Sequence, residues 1–508
     1  MPAFAAVDIG ANSVRLKIAR LVRSRLRVVH EDREVTRLGQ SVFRNGTLEP
    51  TTMAHTVKVL RRFHRAVQEH GVDRVRVVAT SALRDARNAA SFIEWARAAT
   101  GWHVEVISGL EEGRLIHLGV MSATRSGAQR VLLVDLGGGS CELTISMGGQ
   151  IRQLHSLPLG AVRLTQEFLR RDPPKRKELA RLREFIAEEI APLQKRIAAR
   201  KLQLAIATSG TAAALNRAWM ARQRKKDRAP RSVPTAAVVK LADLLSRATL
   251  NERIAMPGIG PRRAEIIVAG AVVFAELFTR LGLRGFRYSP LGLRDGLLAQ
   301  MATDYGRSAR LQRQLQSERE NALLAVGRHY GIDHKHAARV RQLAGELFGG
   351  LKSVHGLPPE YNEWLAAAAM LCEVGLFLSR TGRHRHTYYI IANSDIFGYT
   401  VEQRRIIATL ARFLGKSVPQ PGDRVLRRLR SPDRERIPKA VALLRLAVSL
   451  DQGRRGAVRG VSARAVEDRV LLKLKAGRGG ADLELWALEK ERAYFRQVFG
   501  RELVAAAS

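Results

Sequence analysis

Three glycines in a row follow an apolar run and a carboxylate in "VDLGGGSCEL" (134–143). Glycine loses the most backbone entropy on folding, so its repeated use predicts close backbone approach to something, and a bound anion is the candidate. The same pattern, Val-Asp-apolar-Gly-x-x-Ser, occurs at "VDIGANS" (7–13). Asp8 and Asp135 are expected at the carboxyl ends of parallel strands, the edge where open α/β sheets bind ligands. The turns after them offer backbone N–H groups and small hydroxyls, the makings of an anion nest. A third stretch, "IATSGTAAAL" (206–215), sets Thr208, Ser209, Gly210 and Thr211 before a helix whose first N–H groups would face a phosphate.

Two further segments carry chemistry. In "ISGLEEGRL" (107–115) Ser108 reads as an N-cap and Glu111, three residues on, as its capping-box partner. Glu112 is left over, in the first turn, as a base for a water molecule or as a carboxylate that complements the helix dipole. Arg84 in "TSALRDARN" either clamps a phosphate with its planar fork or pairs with Asp85 or another carboxylate.

These segments need elements to position them. The first 300 residues alternate β-branched runs with helical patterns, as in "RVRVVATSA" before "NAASFIEWARAA", which argues for α/β architecture with crossover helices. The repeated turn predicts two related halves. Beyond about residue 305 the pattern is helical, and the tail, "AVEDRVLLKLKAG" with "ADLELWALEKERAYFRQVFG", reads as two strands and a helix. The expected segments are 1–125, 126–304, 305–457 and 458–508. The stretch "ARQRKKDRAPRSVP" (221–234) is expected to be an exposed basic loop.

Composition narrows the partners. The 508 residues carry 86 Lys plus Arg against 47 Asp plus Glu, a net charge of +39 that would concentrate a polyanion. Arg424 to Arg459 alone holds 11 basic residues against Asp433, Glu435 and Asp451. Aromatic content of 6%, with no basic segment interleaved with stacking rings, argues against single-stranded nucleic acid. The two cysteines fit a reducing compartment, and the absence of a signal-like start or a membrane span leads us to expect a cytoplasmic protein.

In order, "VDIGANSVRL", "VATSALRDARN", "ISGLEEGRLIHLGV", "VDLGGGSCELT", "LPLGAVRLTQEF" and "IATSGTAAAL" resemble the exopolyphosphatase and guanosine pentaphosphate phosphatase family, within the sugar kinase and actin superfamily. The resemblance implies two actin-like (ribonuclease H-like) α/β domains, a helical domain similar to His-Asp phosphohydrolases, and a small C-terminal α+β domain. It implies Glu112 as catalytic base and Arg84 as a substrate ligand. Asn12, Ser13, Gly137, Gly138, Gly139, Ser140, Gly210 and Thr211 would bind phosphate, and Asp8, Asp135 and Glu142 would hold Mg²⁺. The implied activity is release of the terminal phosphate of inorganic polyphosphate, with guanosine pentaphosphate as the alternative substrate and a homodimer as the expected assembly; an actin-like ATP-dependent kinase is the competing class. One departure stands out. Where His-Asp phosphohydrolases would place their metal-binding pair this chain reads Cys372-Glu373, with His384 and His386 beyond an expected helix end, so no second metal hydrolase site is expected and the helical domain reads as a basic wall.

Overall fold

Apolar runs that carry no alternation demand burial on both faces, and the first strand shows it. In β1 (Ala3–Ile9), Ala5, Val7 and Ile9 enter one core while Phe4 and Ala6 enter another. The strand continues through a tight turn into β2 (Val14–Val22) and β3 (Arg25–Glu34), an antiparallel meander. Helical crossovers then add β4 (Arg74–Ala79) and β5 (Val104–Val106) in parallel, giving the order β3-β2-β1-β4-β5.

The second sheet repeats this plan. β6 (Arg130–Leu136), β7 (Cys141–Met147) and β8 (Gln150–Leu157) form the meander, and β9 (Leu204–Thr208) joins β6 in parallel. The short β10 (Val233–Pro234) and β11 (Gly285–Tyr288) complete the order β10-β11-β9-β6-β7-β8. Two related actin-like halves, expected from the repeated turn, are therefore present.

These elements belong to a computed structural model that describes residues 1–23, 25–123, 130–198, 202–223, 232–304, 309–477 and 480–507. Most of the expected basic loop at 221–234 lies outside the described residues. The chain divides into two compact units, Met1–Gln312 and Arg313–Ser508. Among the described residues no helix is long and apolar enough to cross a membrane.

Within the first unit, the helices Gly109–Ala123 and Leu293–Asp304 share one core with residues of both sheets: Leu115, Ile116 and Val120 meet Leu297, Leu298 and Met301 over Phe4, Val78, Leu133 and Ile206. The two helices touch backbone to backbone. A Cβ on Gly296 would lie 1.8 Å from the Leu115 carbonyl oxygen, and one on Gly119 would lie 2.5 Å from that of Gly292. Polar ties reinforce the contact: Lys17 pairs with Asp295 at 2.9 Å, and Gln300 accepts from Arg76 at 2.9 Å and from Arg114 at 3.2 Å.

The second unit is helical around Leu343, Leu347, Tyr361, Ile407, Leu410, Val441 and Leu444. It ends in a three-stranded sheet, β12 (Val458–Val466), β13 (Arg469–Ala476) and β14 (Glu502–Ala507), with the helix Asp482–Phe499 between the last two strands. The sequence patterns identify two of these strands. The third, "ELVAAA", is too short and too rich in alanine to show alternation, and its pairing with β13 makes it a strand.

Gly296→Ala should destabilise the protein by roughly 3 kcal/mol or more, because backbone cannot yield to the new methyl as a side chain would; a chemical denaturation midpoint equal to that of the wild type would contradict this. His117, on the helix Gly109–Ala123, is fully buried with neither ring nitrogen partnered, and burial followed by the Arg114 charge pushes its pKa down to about 4 from 6.5. A depressed histidine pKa stabilises the fold above the unfolded value, and that contribution is lost as pH falls from about 6.5 towards 4. Denaturation of His117→Leu should therefore show a shallower loss of stability over this window than the wild type.

Candidate active site

Both hairpin turns are built alike. Asp8 and Asp135 are the penultimate residues of β1 and β6, opposite Arg15 and Glu142. Each turn is closed by one hydrogen bond: the Gly10 N–H donates to the Ser13 carbonyl at 3.2 Å, and the Gly137 N–H to the Ser140 carbonyl at 3.0 Å. The turn carbonyls are then drawn outwards. Ala11 accepts from the Gly39 N–H at 2.7 Å and Asn12 from Arg37 at 3.1 Å, while Gly137 accepts from Ala161 at 3.0 Å and Gly138 from Val162 at 2.8 Å. Gly139 accepts from the Arg163 guanidinium at 2.8 Å.

In a trans planar peptide the N–H opposes the carbonyl. The N–H groups of Asn12, Ser13, Gly138, Gly139 and Ser140 are thus turned away from these partners, and among the described residues none has an acceptor. Asn12 adds a buried, unpartnered side-chain NH₂. The result is two facing sets of donors, an anion nest of the kind expected from the sequence.

Contacts within the protein account for two of the three glycines, in addition to the anion approach expected from the sequence. None adopts a positive φ. A Cβ on Gly138 would lie 3.0 Å from the Ala11 Cβ of the opposite turn, and one on Gly139 would lie 2.2 Å from Ser81 Oγ and 2.5 Å from the Phe43 ring. The glycines let the two turns meet and let Ser81 and Phe43 close behind them; Gly139 itself does not line the cleft.

The third turn joins β9 to the helix Ser209–Met220. Ser209 stands in the left-handed region at φ 69°, a strained conformation for a side chain with a Cβ, and its hydroxyl donates to Asp135 Oδ1 at 2.5 Å. Gly210 leaves room for a guanidinium: an added Cβ would lie 1.6 Å from Arg263 Nη2. Thr211 is placed elsewhere, buried against Gly270 and off the cleft wall.

The catalytic candidate comes from the first turn of the helix Gly109–Ala123. Ser108 Oγ caps it by accepting from the Glu111 N–H at 3.2 Å, but the Glu111 carboxylate turns to Arg114 at 2.8 and 2.9 Å, so the reciprocal half of the expected capping box is replaced by an ion pair. Glu112 lines the cleft at 7% exposure, its Oε2 unbonded and 3.7 Å from Arg84 Nη1. Arg84 also donates to the Ile107 carbonyl at 2.8 Å, and Asp85 pairs with Arg163 instead, so of the two readings for Arg84 the Asp85 pair does not form. Glu142 lies just behind the wall, holding Ser156 Oγ at 2.8 Å on one oxygen and nothing on the other.

These carboxylates repel one another in a dry place. Burial, then the Glu142 charge, holds Glu112 well above the usual carboxylate range, with Arg84 pulling the other way. Burial and the Asp135 charge push Glu142 up to about 8, and burial pushes Asp135 up to about 6 against the Ser209 hydrogen bond. Asp8 is raised by burial as well. Unbonded buried carboxylate oxygens suit a hard divalent cation. Among the described residues no three His, Cys, Asp or Glu side chains converge to hold a metal, so the expected set of Asp8, Asp135 and Glu142 is not assembled as one group: Glu142 is held back by Ser156.

Across from the acids stand five arginines that the sequence analysis missed: Arg15, Arg33, Arg217, Arg263 and Arg294, around a cavity of about 250 Å³. Burial, then neighbouring arginines, push Arg33 down to about 10 and Arg263 to about 9. Two nitrogens of Arg33 are buried without an acceptor. Arg15 was within reach, two residues after Ser13 in a quoted motif; the others cannot be told apart among 86 basic residues.

An actin-like α/β unit whose cleft opposes peptide donors and arginines to a cluster of acids defines an anion-handling site. Comparison with known proteins agrees: the chain matches the Ppx/GppA phosphatase family over residues 17–304 and domain III of that family over residues 319–492. The chain belongs to the Ppx/GppA phosphatase family. It is similar to the crystallised Ppx/GppA family member of Aquifex aeolicus (30% identity, TM-score 0.52, covering 60% of this chain and 99% of that one). It is also similar to an exopolyphosphatase from Cytophaga hutchinsonii (25% identity, TM-score 0.56, 59% and 98%). An exopolyphosphatase-like protein matches at 30% identity with a TM-score of 0.55, covering 60% and 98%.

Gly210→Ala should displace Arg263 from the cleft and raise KM for a phosphate-bearing substrate about tenfold or more, the scale of a lost charged hydrogen bond, while kcat changes less. An unchanged KM would remove Arg263 from substrate binding.

Proposed function

We propose that this protein is an exopolyphosphatase, hydrolysing the terminal phosphoanhydride of inorganic polyphosphate and releasing orthophosphate. The observation that carries the reading is the pair of hairpin turns whose carbonyls are engaged outwards, which leaves the peptide N–H groups of Asn12, Ser13, Gly138 and Ser140 on the cleft wall for a terminal phosphate. Phosphoryl transfer asks the protein mainly to position reactants and stabilise charge on equatorial oxygens, and these donors do so without reorganising. Glu112, raised by its surroundings, is matched to accept a proton from the attacking water, and Arg84 beside it can hold the transferred phosphoryl. Asp8 and Asp135, on the cleft wall, would hold Mg²⁺ together with substrate phosphates, and when bound it would neutralise charge on phosphate oxygens; Glu142 stands behind them.

The length of the cationic track supports polyphosphate as substrate. Arg33, Arg217 and Arg263 line both the cleft and an adjoining cavity of about 300 Å³ that adds Arg262. A chain with about one charge per phosphate would be neutralised along this track, releasing counterions as nucleic acids do on binding. Among the described residues lining the two cavities the single aromatic ring is Tyr288, a poor platform for a nucleobase.

Phosphate release in the presence of Mg²⁺ should be faster with long-chain polyphosphate than with guanosine pentaphosphate or ATP. Cleavage of the pentaphosphate alone would reassign the substrate and leave the cleft chemistry standing. Glu112→Gln should lower kcat by about 10² to 10⁴ with substrate binding retained; unchanged turnover would remove Glu112 from its role. Polyphosphate affinity should fall steeply with added salt, and a flat response would contradict the arginine track.

A further inference from the structure

Away from the cleft, two imidazoles meet without an evident reason. His30 on β3 and His70, the residue that ends the helix Pro50–Glu69, bring their ring centroids to 5.0 Å with the planes tilted by 41°. The strand is bent to make the contact. Ile18 pairs with His30 but Ala19 pairs with Val28, so Val29 is an extra residue, a bulge of the kind that re-aims a neighbouring side chain. His30, Asp32 and Glu34 then share the strand face turned to the helix, where Arg62 donates to Asp32 at 2.9 and 3.1 Å and to Glu34 at 3.2 Å.

Each ring keeps a nitrogen in reserve. His70 Nδ1 lies 2.8 Å from the Ala66 carbonyl, which can only accept, so Nδ1 carries the proton and the neutral ring has its lone pair on Nε2. His30 Nε2 is buried with no partner among the described residues, a costly condition unless something binds it. The nearby cations are occupied: Arg62 by its two acids, and Arg20 by the His70 carbonyl at 3.2 Å. Histidines of the second unit are differently placed. His336 is held by Asp451 at 2.8 Å, and His355 bridges the Phe348 carbonyl and the Leu357 N–H at 2.9 and 2.8 Å. His384 and His386, expected beyond a helix end, lie in the first turns of the helix Arg383–Asn393. There His384 Nε2 accepts from Arg383 at 3.2 Å, and burial, then Arg383, Arg412 and Arg445, push its pKa down to about 4.

We propose that His30 and His70 are the two protein ligands of a zinc site, completed by water, on the edge strand of the first sheet. Two imidazoles bound through one nitrogen each to a tetrahedral ion at about 2.0–2.1 Å hold their ring centres about 5 Å apart, the separation found here. The bond from Nδ1 to the Ala66 carbonyl is the outer support that fixes the tautomer and ring plane of a metal-bound histidine. Imidazole nitrogens select a borderline cation over magnesium or calcium, which take oxygen. Among the described residues no third His, Cys, Asp or Glu side chain joins the pair, and Asp32 and Glu34 are spent on Arg62, so water fills the remaining positions. An ion there clips the edge strand to the helix three residues before Arg33, which lines the cleft. The site stands on its own residues and does not depend on the reading of the cleft.

Titration of Zn²⁺ into the full chain, with Mg²⁺ in large excess to occupy the cleft acids, tests the site. One equivalent should slow amide hydrogen exchange at residues 28–31 and 66–71. The affinity should weaken about tenfold or more in His30→Gln and in His70→Gln, since loss of an outer support alone has that scale. His70 is half-buried at a helix end, so the unliganded Tm of His70→Gln should hold, and that variant decides the matter if His30→Gln melts early. One equivalent of Cu²⁺, as a paramagnetic probe, should show coupling to two imidazole nitrogens in the wild type and to fewer in either variant. Unchanged exchange at the two segments, slowing that survives in His70→Gln, equal slowing by Mg²⁺ alone, or copper coupling that the substitutions leave intact would each overturn the site. Phosphatase activity enters none of these readouts, so failure of the cleft reading leaves the zinc site standing.

Discussion

The cleft depends on where the peptide groups of two short turns are forced to point. Each hairpin is narrow enough for a single closing hydrogen bond, and the amides of Arg37, Gly39, Ala161 and Val162, with the Arg163 guanidinium, capture the carbonyls from outside. Peptide planarity does the rest. The donors that face the cleft are fixed by bonds made elsewhere, so no energy is spent arranging them when charge develops on a ligand. Arginines and acids on either side then act on a geometry already in place.

That arrangement explains which parts of the function were legible in the sequence. The Asp-x-Gly-x-x-Ser pattern states local backbone chemistry, and its recurrence 127 residues later stated the duplicated sheet plan, since Asp8 and Asp135 occupy the same place in each. Glu112 was singled out by a capping box that forms only in its Ser108 half, and the structure places it on the cleft wall. What resisted reading was tertiary. Arg33, Arg217, Arg263 and Arg294 reach the cleft from four separated segments with no shared spacing, and Gly139 needs its missing side chain because of Ser81 and Phe43, far away in the chain. Glu111 prefers a buried arginine three residues on to its own cap, a choice set by the desolvation of Arg114 at 1% exposure.

The two units use the same cation differently. In the first, arginines face buried acids, and burial together with like-charged neighbours on each side leaves Arg263 lowered to about 9 and Glu142 raised to about 8. In the second, the inner acids Glu373 and Asp451 are consumed by Arg454, Arg339 and His336, and among the described residues Arg383 and Arg385 have no carboxylate partner. Of the pair that stands where His-Asp phosphohydrolases bind metal, Glu373 is thus spent on Arg454 and the Cys372 thiol is buried.

The core between the two sheets has a consequence for biogenesis. Phe4, Leu21 and Val78 are covered in part by Leu297, Leu298 and Met301, more than two hundred residues downstream. While the chain is being made, the amino-terminal sheet must wait with that apolar face uncovered, a sticky intermediate of the sort that recruits chaperones. The same late helix carries Arg294 into the cleft, so a truncated nascent chain would be both greasy and short of one cleft wall.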